Sequence, residues 1–207
     1  MRAHSTGLFL IAAVLPLAAM APAQADVVVD AGGAITIDQS VEIVTVTSAC
    51  PEVTIIASNS TVSLPDATEV TVTGSNLGIT SGAVTGVVNL GGGNNAFTAP
   101  SAESVQITGA NTVAAFTGPV SAATIATGNS SLKADDLGTT TVKGANNDVA
   151  AGSGRSLVVR GANNSARYGF LDLVKVIGLN NAVTVRKGRT KVAVRGANNV
   201  IRVHKRR

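Results

Sequence analysis

Apolar and polar residues alternate in short runs along most of this chain, and the runs recur at a nearly constant distance. Each pair of runs meets at a Gly-x-Asn turn, written most fully in "VKGANN" at 142–147, "VRGANN" at 159–164 and "VRGANN" at 194–199. Taking the turn's first residue as position zero places it at Ala57, Gly74, Gly92, Gly109, Thr127, Gly144, Gly161, Gly178 and Gly196, always 17 or 18 residues apart. Position +2 is Asn in every rung: Asn59, Asn76, Asn94, Asn111, Asn129, Asn146, Asn163, Asn180 and Asn198. Position −2 is always aliphatic, from Ile55 and Val72 through to Val176 and Val194. Position −4 is mostly Val, and +5 is apolar in most rungs, as at Val62, Phe97, Leu132 and Val183. A period of two on both sides of the turn predicts two strands per repeat, each with one face inward.

A weaker rung without Asn precedes these, with Ile35, Ile37, Val44 and Val46 in the apolar columns, and Val27 and Val29 add half a rung more. The repeat therefore fills residues 26–207 as a single domain. Its period is too short for helical repeats and too long for one hairpin. It predicts an all-β, parallel β-solenoid (β-helix) of about ten coils, each strand bonded to its equivalent in the next coil. Each coil should hold a strand, the turn, a second strand and a variable return, with a short third strand through Val84, Val120, Leu137 and Leu171. The strict hexapeptide pattern of the left-handed solenoid is absent. Gly and Asn suit a corner because they accept a positive φ most readily. Stacked coils would align the +2 Asn residues as a side-chain ladder at one corner. A meander of antiparallel hairpins is the alternative, but it gives no reason for the constant spacing.

The first residues belong to another pattern. Arg2, an apolar stretch from Gly7 to Met20, and Ala23-Gln24-Ala25 have the layout of a secretory signal peptide over 1–25, with cleavage expected before Asp26. The apolar stretch is short for a membrane anchor, and no later segment is apolar enough to span a bilayer. The expected location is secreted or in the cell envelope. The lone cysteine, Cys50, can close no internal disulfide, and it reads as a small buried hydrophobe. With no Trp and one Tyr, the core must be built from small β-branched side chains.

The recurrent "VxVxGxNNxVxV" resembles a family of small exported actinobacterial proteins of unknown function built from Gly-x-Asn-Asn repeats. The likeness spans residues 26–207, although "ASNS" at 57–60 and "TGNS" at 127–130 depart from the motif. It implies export and a β-rich repeat fold, and it carries no catalytic residues to transfer.

Candidate chemistry is sparse. His4 lies in the expected leader, so His204 beside "KRR" is the only other histidine, which argues against a Ser/His/Asp triad. One His and one Cys do not make a zinc site. "SSLK" at 130–133 matches S-x-x-K but sits on the repeat without the companion S-D-N or K-T-G motifs. Asp135-Asp136 offers a lone acidic pair for calcium or for acid/base work. "GGG" at 91–93 and "GSG" at 152–154 lack the Lys and helix of a phosphate loop. No cofactor and no enzymatic activity are expected.

Charge says more. Residues 26–132 contain eight acids and no Lys or Arg, whereas residues 133–207 contain fifteen bases and four acids, so the halves carry −8 and +11. Lys143, Arg160 and Arg195 share position −1, and Lys133, Arg167 and Arg202 share +6, so stacking should turn them into two basic stripes. The expected function is that of an exported, non-enzymatic structural or binding protein whose basic half contacts an anionic envelope polymer or a membrane surface. Head-to-tail self-association through the opposite charges is a second possibility. A secreted solenoid enzyme acting on polysaccharide, and a Thr-surface, ice-binding-like rod suggested by "TVT" at 45–47 and 71–73, are the rivals. The near absence of aromatic residues for base stacking and the expected export argue against a nucleic-acid partner.

Overall fold

A computed structural model describes residues 26–204 of the chain; the expected leader over 1–25 lies outside the described residues. Eighteen strands, from Asp26–Val29 to Val200–Val203, join in one continuous sheet, and no helix occurs among the described residues. Every pairing is parallel and links a strand to its equivalent one coil away. Val53 stacks on Val70 and Val70 on Val88; further along, Val142, Val159, Val176 and Val194 stack in turn. The chain is a parallel β-solenoid, and the antiparallel meander is excluded.

The −2 and −4 columns are buried in every rung except the last, where no described strand stacks above and Val192 and Val194 are about two-fifths exposed. Each fully buried Val, Leu or Ile stabilises by roughly 1.5–3 kcal/mol. Many such layers make up for the scarcity of rings and for the absence of an internal disulfide from a single cysteine.

The expected separate third strand is not found. Val84, Val120, Leu137 and Leu171 do point inward and are buried, but each lies in a strand that runs on into the next turn. In Ser131–Ala145, Asp148–Ala162 and Ser165–Leu179 the strand also begins before the return and passes through both of its bends. Between these three strands the backbone bonds run on through those bends, and pairing lapses only at single residues such as Asp135 and Gly138.

All nine Asn residues at +2 adopt the left-handed conformation, with φ between 54° and 59°. Eight of them, from Asn59 to Asn180, donate their backbone N–H to the +1 carbonyl of the following coil. Val41 takes the same role in the weak first rung, at φ 66°, with its N–H on the Ser58 carbonyl. A β-branched side chain is poorly tolerated there. Position zero is tight as well: at Gly161, φ is 149° and an added Cβ would lie 1.8 Å from the Gly144 carbonyl oxygen.

An Asn ladder stands at the corner as expected, but the +2 column holds only part of it. At +2 the side chains are outward, and amide-to-amide bonds join only Asn59, Asn76, Asn94 and Asn111, and separately Asn129 and Asn146. An inner ladder stands one residue later, at buried Asn147, Asn164 and Asn181 and half-buried Asn199. Asn164 Nδ2 donates to the Gly144 carbonyl at 3.0 Å and to Asn181 Oδ1 at 3.0 Å, and its Oδ1 accepts from the backbone N–H of Asn147 at 3.0 Å. The same bonds recur at Asn147 and Asn181. The +2 Asn bends the corner, and the +3 Asn satisfies the polar groups that the bend turns inward.

Candidate anion-contacting face

Strands leading into the Asn corner present the outward positions −5, −3 and −1. In the basic half these form three registered columns. Thr139, Ser156, Leu173 and Lys191 make the first; Thr141, Val158, Lys175 and Ala193 the second; Lys143, Arg160, Ile177 and Arg195 the third. Twelve outward positions thus hold five cations, Lys143, Arg160, Lys175, Lys191 and Arg195, and no acid. All five cations are exposed. Alternation puts their neighbours Val142, Val159, Val176 and Val174 into the core, so the charges stand on the outer side of a packed sheet.

The same face changes character toward the other end of the rod. Glu52 stacks on Glu69 in the −5 column, and the next coils are uncharged both there, at Val87, Ser104 and Ala122, and in the −3 column, at Asn89, Gln106 and Thr124. Asn89 Nδ2 reaches Glu69 Oε1 and Thr71 Oγ1, both at 3.3 Å, which breaks any regular Thr array.

Lys133, Arg167 and Arg202 also fall into one column, on the strands after the corner, but Ala150 and Thr184 separate them. Acids offset this second stripe. Arg167 Nη1 pairs with Asp148 Oδ1 at 3.0 Å, the only ion pair among the described residues, and Asp135 lies two residues from Lys133. A shallow groove of about 550 Å³ runs beside it over Ala150, Ala151, Gly152 and Gly169, framed by Lys133 and Arg186. Its glycine floor follows from coil stacking: a Cβ on Gly169 would lie 2.3 Å from the Gly152 carbonyl oxygen. The two stripes are therefore unequal, and the −1 stripe is the uncompensated one. Sequence reading found Lys143, Arg160 and Arg195 but missed Lys175 and Lys191. Each is the only cation in its column, although its odd offset from the turn already marked it as outward.

The remaining candidates separate in space. Ser130 is buried at the inner corner, with Oγ donating to the Gly109 carbonyl at 3.2 Å, whereas Lys133 is exposed. They form no nucleophile and base pair. Asp136 accepts a hydrogen bond from Ser153 Oγ, and among the described residues no three His, Cys, Asp or Glu side chains gather as metal ligands. Cys50 is buried, with Sγ donating to the Ala31 carbonyl at 3.3 Å, and burial pushes its thiol pKa up, which keeps the thiol protonated and unreactive.

Comparison with protein families, curated proteins and solved structures finds no match to this chain.

Proposed function

We propose that this protein is an exported, non-enzymatic binding rod of the cell envelope or extracellular space, held to anionic material by the −5, −3 and −1 face of its basic half. The leader-like residues 1–25 and the Gly-x-Asn-Asn resemblance support export. The observation that carries the binding role is the asymmetry of charge within a single sheet face: five cations over four coils with no acid among them. Solubility alone asks for mixed charge on outward positions, not for segregation by face and by half. Neighbouring coils are about 4.8 Å apart, well inside the roughly 10 Å screening length at 0.1 M salt, so the cations act together.

Expressing the full sequence in a secreting host and reading the N terminus by mass tests the export reading. Asp26 is the expected start, and secreted protein retaining Met1 contradicts it. Titrating the same protein with a soluble polyanion at rising salt tests the binding reading. Affinity should fall steeply with salt, and salt-independent or absent binding argues against it.

A further inference from the structure

The surface between the cations is not merely neutral. Leu173 is 39% exposed in the −5 column, and Val158 and Ile177 are half-buried at outward positions beside Arg160 and Lys175. A soluble polyanion rewards only the charges and leaves such apolar surface in water. At one margin of the face, an open hollow of about 680 Å³ is lined by Arg155, Ser156, Asp172, Leu173, Arg189 and Lys191. Arg155, Asp172 and Arg189 follow one another at 17-residue steps, so one acid faces the hollow among three bases.

From this arrangement, and resting on the binding role proposed above, we infer that the partner of the face is an anionic lipid surface. Cations at Lys143, Arg160, Lys175, Lys191 and Arg195 meet the headgroup phosphates. Leu173, Val158 and Ile177 press against the boundary between headgroups and acyl chains, as the apolar side of an interfacial element does. A lipid headgroup fits the hollow, its phosphate toward Arg155, Arg189 and Lys191 and away from Asp172. The rod then docks by its basic end only. Glu52 and Glu69 on the same face repel the surface and tilt the acidic end away from it.

The test compares cosedimentation with two kinds of vesicle, phosphatidylcholine alone and phosphatidylcholine with a minority of phosphatidylglycerol, beside a titration with soluble polyphosphate. Full-sequence protein is used as the host processes it, so wild type and variants share one N terminus. Wild type should bind the anionic vesicles and not the neutral ones. Replacing Lys143, Arg160 and Arg195 with Gln should weaken vesicle binding by roughly a hundredfold. Leu173→Ser with Ile177→Ser should weaken vesicle binding several-fold while leaving polyphosphate affinity unchanged; if that pair unfolds, Leu173→Ala alone serves. Polyphosphate binding without vesicle binding overturns the lipid assignment and leaves the binding role standing. So does vesicle binding indifferent to Leu173 and Ile177. Failure with both ligands, or light scattering that shows only salt-sensitive self-association, overturns both.

Discussion

Tyr168 donates its phenolic hydrogen to Thr140 Oγ1 at 3.1 Å, from one wall of the solenoid to another, with both residues buried. The pair explains two departures from the repeat at once. Thr140 is the only polar residue in the −4 column, and Tyr168 is the chain's only tyrosine. Gly154 makes room for the ring, because a Cβ there would lie 2.8 Å from Tyr168 Cε1. Burial pushes the phenol pKa from 10.0 up to about 12, against a smaller lowering by Thr140, and Asp136 adds to the rise.

Breaking one side of this pair should cost more than removing both. Tyr168→Phe strands the Thr140 hydroxyl, and Thr140→Val strands the phenol, each at about 1–2 kcal/mol; the double variant should lie near wild type. Denaturant unfolding of the four proteins measures the cycle. The pH dependence has a definite sign. A folded pKa raised above the unfolded one keeps its stability below pH 10 and loses it as pH climbs toward 12. Wild type should therefore lose about 2–3 kcal/mol more than the double variant over that window. Equal losses would contradict the burial of an intact phenol.

The two Asn residues of one corner should differ in importance. Asn164→Ala leaves the Gly144 carbonyl and the Asn147 N–H without their partners inside the core, and should cost about 3 kcal/mol or more. Asn163→Ala loses mainly the preference for positive φ, at about 1 kcal/mol. The order of the two midpoints in urea is the readout.

In the first rung the repeat can be repaired. Val41 holds the corner conformation that every later rung gives to Asn, and buried Glu42 Oε2 next to it has no hydrogen-bond partner among the described residues. Val41→Asn should stabilise by about 1 kcal/mol. Adding Glu42→Asn should raise the melting temperature further, since an amide there can join the inner ladder beneath Ser60.

Most of the fold was legible because a solenoid repeats its instructions. The −2 and −4 columns and the nine Asn residues marked the inward faces and the corner, and the structure places them there. The inner ladder was harder to see, since +3 alternates Asn with Ser60, Thr112 and Ser130 and even holds Leu77. Those hydroxyls are small hydrogen-bonding stand-ins at the same inward point, so the column, Leu77 apart, was chemically uniform without being identical. The continuous return strand was illegible, because its backbone bonds come from neighbouring coils and not from local propensity. Inequality between the two basic stripes could not be read from spacing alone. It depends on Asp148 and Asp135 sharing a side with Arg167 and Lys133 while Lys175 and Lys191 join the other stripe.

That inequality permits a direct test with net charge held equal. One variant replaces Lys143, Arg160, Lys175 and Arg195 with Gln; the other replaces Lys133, Arg167, Arg186 and Arg202. Each removes four positive charges from outward positions of the same half. Retention on an immobilised anionic polymer or anionic bilayer, measured as the salt concentration for release, separates a particular face from bulk charge. The expected result is early release of the first variant and near wild-type release of the second. Equal release of both would contradict a binding face on the strands that lead into the Asn corner.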